Sequence, residues 1–419
     1  MRLVGAFVLF ASSILLTGCG GFATSGTTST GTVAPNTTGT VAQNTTSVVA
    51  AKCATGTTSA SKLTLAVGRA GHTATLLADG RVLVVDGGQL DIDDLLTSVA
   101  SLEIFDSSSG EFTQITCSML AREFHTATLL SSGKILIAGG NEFDGYPTWL
   151  TPTASAVVYD PTNTSVISAT SMAAGRTHHT ASLLPDGRVL IVGGASDTDP
   201  AAEVYDPSTG KFTVISSITT MRQDHTATVL SSGKVLITGG QADSGVLSSA
   251  EIFDPSTNSS KPAGSMSQPR TGHSATLLPN GTVLIAGGSS TAALAPGVIK
   301  GDASLQTAEV YDPATNSFSS PISMQGNHIA HSATLLADGT VLIAGGYKDW
   351  VDGVPVFVGY ESDATAEIYD PTTNSFRLAP PLATGRFWHS ATLMQDGSVL
   401  MIGGIGGDTA LTSAEFYKQ

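Results

Sequence analysis

Seven histidines and six arginines recur in register along this sequence, and they are the first residues whose types and spacing could do chemistry. His72, His125, His179, His225, His273, His331 and His389 lie 46 to 58 residues apart. Arg69, Arg122, Arg176, Arg222, Arg270 and Arg386 stand three residues ahead of six of them, and His328 takes the place of the seventh arginine. Imidazoles ligate metals and act as general bases, and guanidinium groups hold anions. Both uses need convergence: a metal draws three or four ligands to one point, whereas equivalent residues of seven repeats are spread around whatever the repeats build. The repeated set is therefore expected to be scaffold, satisfied by hydrogen bonds, with no metal and no other cofactor. Glu103, Glu203, Glu251, Glu309, Glu367 and Glu415 recur too and suit ion pairs with the arginines. The vacancies do not coincide, since Val157 replaces glutamate in the second repeat while arginine is missing ahead of the sixth.

The elements that carry these residues follow from a fixed pattern. After each histidine, HTATLL or a close variant alternates small and apolar residues as a strand does, a turn such as ADG, SSG or PDG follows, and a second strand of the form VLIAGG comes next. The diglycine ends fifteen residues after the histidine in six repeats, while the first shows one extra residue near Asp86. A variable loop then leads to a third strand ending in an aromatic–Asp pair, at Asp106, Asp160, Asp206, Asp254, Asp312 and Asp370. A fourth strand starts near Phe112, Val166, Phe212, Ser260, Phe318 and Phe376.

A period of this length with this motif resembles the kelch repeat, and the resemblance covers about residue 58 to the end. It implies an all-β fold: a seven-bladed kelch-type β-propeller with four-stranded blades. The seventh repeat stops at AEFYKQ without a fourth strand, and SASKLTL, Ser59 to Leu65, has the phase to supply it. The ring is thus expected to close through an N-terminal outer strand in the last blade, which removes exposed sheet edges.

Residues outside the repeat carry the functional signal. Loops between second and third strands share one face with the links between blades. On that face fall Trp149, Trp350 and Trp388, with Phe124, Phe143, Tyr146, Tyr347, Phe357, Tyr360 and Phe387. Trp and Tyr give large contact area with a polar handle. The ligand-binding candidates are Trp149, Trp350, Trp388, Tyr146, Tyr347, Tyr360 and Phe387. Asp91, Asp93, Asp94, Glu142, Asp144, Asp349, Asp352, Glu361 and Asp363 make the same face acidic. Aromatic platforms beside carboxylates suit sugar hydroxyls, although solvated acidic loops also have this composition.

The amino end reads as an address. Arg2, an apolar run from Leu3 to Leu16 and then small residues form a secretory signal pattern, too short for the roughly 20 residues of a spanning helix. Leu16-Thr17-Gly18-Cys19 is similar to the lipobox of bacterial lipoproteins, which implies lipidation of Cys19 and attachment to a lipid bilayer. Residues 1–18 are then the signal peptide, 19–57 a Thr/Gly/Ser-rich tether, and 58–419 the propeller. Gly20 matches the outer-membrane pattern where two membranes exist. Cys53 and Cys117 could pair in an oxidising compartment.

Only 13% of residues are charged, and 34 acidic against 19 basic residues give a net charge of −15, which argues against nucleic acid as partner. Copper radical oxidases share the kelch fold, but Cys117 has no assignable tyrosine partner here. Exported sialic acid mutarotases are the closer enzymatic resemblance, and their acid and base are not assignable from repeats; no catalytic residue is named. The leading expectation is a monomeric, envelope-anchored binding module for a glycan or an envelope protein, ahead of a pure scaffold lipoprotein and of an exported sugar-modifying enzyme.

Overall fold

The computed structural model describes residues 51–418 apart from 60, 91–95, 118–120, 143–150, 195–199, 219, 292–303 and 349–360. Seven antiparallel sheets follow one another along the chain, each ordered from an innermost strand outward. In blade one these strands are Thr73–Leu76, Val82–Val85, Leu102–Asp106 and Glu111–Thr116. The later innermost strands are Thr126–Leu129, Thr180–Leu183, Thr226–Val229, Ser274–Leu277, Ser332–Leu335 and Ser390–Leu393. Each lies beside the innermost strands of both neighbours, and the last lies beside the first. The molecule is a closed seven-bladed propeller.

The core has no centre. Every second strand, such as Val82–Val85 or Val189–Val192, is buried on both faces, which is why it reads as a continuous apolar run rather than an alternation. Among the described residues the buried apolar side chains fall into seven wedges, one per blade interface, and a smaller cluster of Ala70, Phe387 and Ile405; Leu136, Ala138 and Val158 of blade two, for example, pack on Val189, Ile191 and Tyr205 of blade three. Each such side chain contributes about 1.5–3 kcal/mol by leaving water. Stability therefore depends on every neighbouring pair being held in place.

Three closed rings of hydrogen bonds do the holding. In the first, each repeated histidine reaches the hydroxyl that opens the innermost strand of a neighbouring blade: His125 to Thr73 at 2.9 Å, His179 to Thr126 at 3.0 Å, His225 to Thr180 at 2.9 Å and His273 to Thr226 at 3.1 Å. The circuit continues with His331 to Ser274 at 2.8 Å, His389 to Ser332 at 2.9 Å and His72 to Ser390 at 2.8 Å. In the second, the second residue beyond each second strand, a glycine in all seven blades, donates its N–H to the carbonyl of the next blade's arginine or, from Gly288, of His328; Gly87 bonds Arg122 at 2.9 Å, Gly140 bonds Arg176 at 2.7 Å, and Gly404 returns to Arg69 at 2.8 Å. The third joins the residues just ahead of the histidines, N–H to C=O, from Gly71 around to Trp388 and back to Gly71. The repeated arginines stay within their own blades, where Arg69, Arg176, Arg222, Arg270 and Arg386 pair with Glu103, Glu203, Glu251, Glu309 and Glu415. His328 fills the sixth place, bonding Gly345 O at 2.7 Å and Glu367 at 3.1 Å.

The first repeat contains no extra residue. Asp86 occupies the place held in blade two by the first glycine, Gly139: its φ is 46° against 63°, and its carbonyl accepts Arg69 Nη1 at 2.7 Å as Gly139 O accepts Arg122. This also accounts for Val157. With no glutamate on the third strand of its own blade, Arg122 takes its nearest charges from Glu142, 3.9 Å away, and from Asp86 of blade one.

Residues 51–58, upstream of the expected propeller boundary, are bound to the ring. Ala51–Lys52 adds an outer strand to blade two and Ala54–Thr58 one to blade one. Between them Cys53 is disulfide-bonded to Cys117, with Cα atoms 4.5 Å apart. Blade seven is closed by Leu63–Leu65 as a single bridge, Thr64 to Ser413, rather than by a strand running from Ser59. Ser59 and Leu63 donate to Phe112 O and Gly110 O of blade one, and Leu63 turns at φ 54°, so only two residues remain to reach blade seven. Residues 1–50, with Cys19, lie outside the described residues. A crosslink over a sequence separation of 64 constrains the unfolded chain by roughly 4 kcal/mol in the loop-entropy estimate. Replacing both Cys53 and Cys117 by serine is expected to lower the melting temperature by several degrees, and calorimetry of the parent with and without reductant should show the same loss.

Candidate functional site at the mouth of the central channel

Each innermost strand starts, and each second strand ends, on one face of the ring, so the third hydrogen-bond circuit encircles the mouth of the channel on the face of the variable loops. Its members are Gly71, Phe124, His178, Asp224, Gly272, Ala330 and Trp388, all with φ between 50° and 63°. The left-handed conformation turns each N–H toward one neighbour and each C=O toward the other. It costs a non-glycine residue roughly 1–2 kcal/mol, so glycine would be the least strained residue throughout. Two positions have it. Four others hold Phe, His, Asp and Trp, and strain retained under bulky side chains directs attention to what those side chains do.

They form one contiguous cluster. The Phe124 ring stacks on the His178 imidazole with centroids 4.1 Å apart and 22° between planes. Trp388 meets Phe124 edge-on at 5.1 Å and Phe387 at 5.1 Å, and Tyr347 lies against Phe387 at 5.2 Å. His178 Nδ1 bonds Asp224 Oδ1 at 2.8 Å, while its Nε2 has no hydrogen-bond partner among the described residues. Gly71 and Ala330 flank Trp388 and leave a depression of about 280 Å³, lined by Phe124, His178, Trp388, Ala330 and the upper edges of the ring histidines.

The electrostatics separate scaffold from site. Burial holds the ring histidines neutral: His179, His273 and His389 are lowered to about 3 by desolvation and then by the adjacent arginines, and the other four are also well below the usual value. His178 behaves oppositely. Burial pulls it down, but Asp224 and behind it Glu123 push it above the ordinary imidazole value, with the side chains of His178 and Asp224 25% and 37% open to solvent. Asp224 is lowered in turn: the imidazole outweighs the burial that opposes it. Glu123, beside Phe124 in sequence, is buried with neither oxygen in hydrogen-bond geometry, and desolvation raises it to about 7 despite His178 and Asn141 nearby. Asp86 is likewise raised to about 7 by desolvation, with Arg122 and Arg69 opposing, and its Oδ2 is unpartnered.

Of the residues expected on this face, the structure brings Trp388, Phe387, Phe124 and Tyr347 together. Trp149, Tyr146, Trp350 and Tyr360 lie outside the described residues, as do Phe143, Phe357, Asp91, Asp93, Asp94, Asp144, Asp349 and Asp352. Asp363 serves its own loop, bonding Thr365 N at 2.9 Å and Oγ1 at 2.7 Å. His178, Asp224 and Glu123 are the residues that sequence reasoning missed. The available signal was the slot just ahead of each repeated histidine, which varies in type inside an otherwise regular motif.

Two substitutions test this description. Ala330→Gly removes a left-handed alanine and should stabilise the protein by about 1 kcal/mol, read as an upward shift in the denaturation midpoint. Asp86→Asn keeps a residue that tolerates φ 46° but removes a titration. An acid raised in the folded state contributes stability that is present below its unfolded value and lost as pH rises through its folded one. The melting temperature of the variant relative to the parent should therefore climb between pH about 4 and 7 and then level off.

The Kelch motif matches residues 224–267, from Asp224 of this cluster into the fourth blade. No curated protein matches the chain. Among solved structures, a fungal alcohol oxidase of the AA5 family, in complex with copper, superposes with a TM-score of 0.65 at 17% identity, over 87% of this chain and 76% of that one. At that identity the likeness is one of fold. The residues present do not fit a copper centre of the radical-oxidase kind, which needs a cysteine linked to a tyrosine: both described cysteines are joined to each other. Fold and repeat together mark this chain as a seven-bladed β-propeller of the kelch type.

Proposed function

We propose that the protein is an exported binding module, held to the cell envelope by lipid on Cys19, that recognises a glycan or an envelope protein through the loop-rich face of the propeller. One observation carries the reading: four bulky side chains of different chemistry occupy left-handed positions around the channel mouth, where glycine would serve the ring with less strain. Together they offer aromatic surface, a carboxylate and an oriented imidazole. Phe124 and Trp388 suit the apolar face of a sugar or an aromatic side chain, and Asp224 and His178 supply polar contacts. The opposite face has tight turns closed by their own aspartates, as where Asp206 Oδ1 accepts Ser208 N at 2.8 Å. Its grooves, of about 730 and 800 Å³, are lined by such turns with one tyrosine each, and hold no aromatic cluster of this kind among the described residues.

A second reading, an exported sugar-modifying enzyme, is favoured by the His178–Asp224 pair. A carboxylate that fixes Nδ1 leaves Nε2 placed as a general base. The two readings separate on one variant pair. In the binding reading, Trp388→Ala weakens binding of a captured sugar or envelope component by about tenfold or more with little change in melting temperature, and the bound sugar is recovered unaltered. Turnover that is abolished by His178→Asn while binding persists would transfer the assignment to catalysis.

A further inference from the structure

We propose that the channel mouth is a site for a ligand's ammonium group, seated against Trp388 and Phe124 and balanced by Asp224 and Glu123. The inference deepens the binding reading above and rests on it. The mouth combines three features. Its walls are π faces and edges, to which cations are attracted. Its open carboxylate, Asp224, commits only Oδ1 to His178 and keeps Oδ2 without a protein partner. Behind the wall Glu123 is buried with neither oxygen in hydrogen-bond geometry and is coupled electrostatically to His178, so its charge, once the carboxyl ionises, acts on the cluster. Arg122, Arg176, Arg222 and Arg386, each two residues ahead of a cluster member, are turned into Glu142, Glu203, Glu251 and Glu415 and are almost fully buried, so they do not fill the site with a protein cation.

His178 is the competing cation. Its ring already lies parallel to Phe124 with Asp224 at Nδ1, the position a guest cation would favour. The other titratable groups acting on it are Glu123 and the adjacent His179, with His125 lining the same depression, and burial keeps both of those histidines neutral. As pH rises, His178 loses its proton and Glu123, raised to about 7, loses its own. Both changes make the mouth more negative, so an ammonium guest should bind more tightly above neutrality. An anionic guest would show the opposite trend.

The test uses the full chain and Nα-acetyl-lysine amide as probe, since its amine stays charged to about pH 10. Binding is followed by calorimetry between pH 5.5 and 8.5, with the Nε-acetylated compound, glucose and glucuronate as comparators. The expected result is affinity that rises with pH, at least about tenfold weaker binding of the acetylated compound, loss of binding in Asp224→Asn and a flattened pH profile in His178→Asn. Asn takes the left-handed conformation readily, so both variants should fold. At pH 6.5, competition by glucosamine but not by N-acetylglucosamine would assign the ammonium to an amino sugar, and its absence to a lysine side chain; either supports the site. Equal binding of amine and acetylated compound, or affinity that falls with pH, overturns the ammonium site. Binding of a neutral sugar alone overturns it while leaving the glycan reading intact, and silence from every probe and from an envelope sugar panel removes both.

Discussion

The structure depends on a short segment, Arg-x-x-His, in which three circuits of hydrogen bonds meet. A propeller has no central core, so each blade is stable only while both neighbours stay packed on it. The second strands, buried on both faces, supply the apolar wedges, but apolar wedges slide. Directional bonds fix their register. The arginine carbonyl accepts the previous blade's glycine N–H, the histidine reaches the previous blade's hydroxyl, and the residue just ahead of the histidine joins the backbone circuit at the mouth. The close approach sets residue types: a Cβ on Gly139 would stand 2.6 Å from both Arg176 O and the His179 ring. Asp86 shows that this place admits a side chain in one blade, with a buried acid raised to about 7 as the consequence.

This arrangement explains why so much chemistry-bearing side chain does no chemistry. Seven imidazoles and six guanidinium groups are consumed by the ring, and burial removes the proton-transfer capacity of the histidines at neutral pH. Buried pairs such as Arg270 with Glu309, at 3.0 Å, define register more than they add stability. What remains free to vary is the residue ahead of each histidine, whose backbone the ring requires and whose side chain it does not. The mouth is therefore a place where function can be inscribed without disturbing the scaffold.

Much of the fold was legible because repetition in register is strong evidence. Spacing between His and Gly-Gly fixed strands one and two, the aromatic–Asp pair ended strand three, and the Phe positions lay in the outer strands as expected. The first-repeat anomaly was misread because a count from the histidine cannot tell an inserted residue from a substituted glycine; the φ of Asp86 can. Ala51–Thr58 looked like tether because ATGTT has no apolar alternation, and it becomes a strand through edge pairing and the Cys53–Cys117 bond rather than through burial. Trp388 and Phe387 stood out by type. His178 and Asp224 did not, since a second histidine beside a repeated one and an aspartate in a polar link look ordinary until the ring brings them within 2.8 Å.

The ring divides its histidines into seven that are buried and neutral and one, His178, that titrates at the mouth. Imidazole 15N chemical shifts recorded as the pH is lowered measure that division directly. The seven ring histidines are expected to keep the neutral pattern from pH 8 to about 4, while His178 protonates above the ordinary value of about 6.5 and loses that behaviour in Asp224→Asn. Ring histidines that titrate together near 6.5, or a His178 that stays neutral with them, would contradict it.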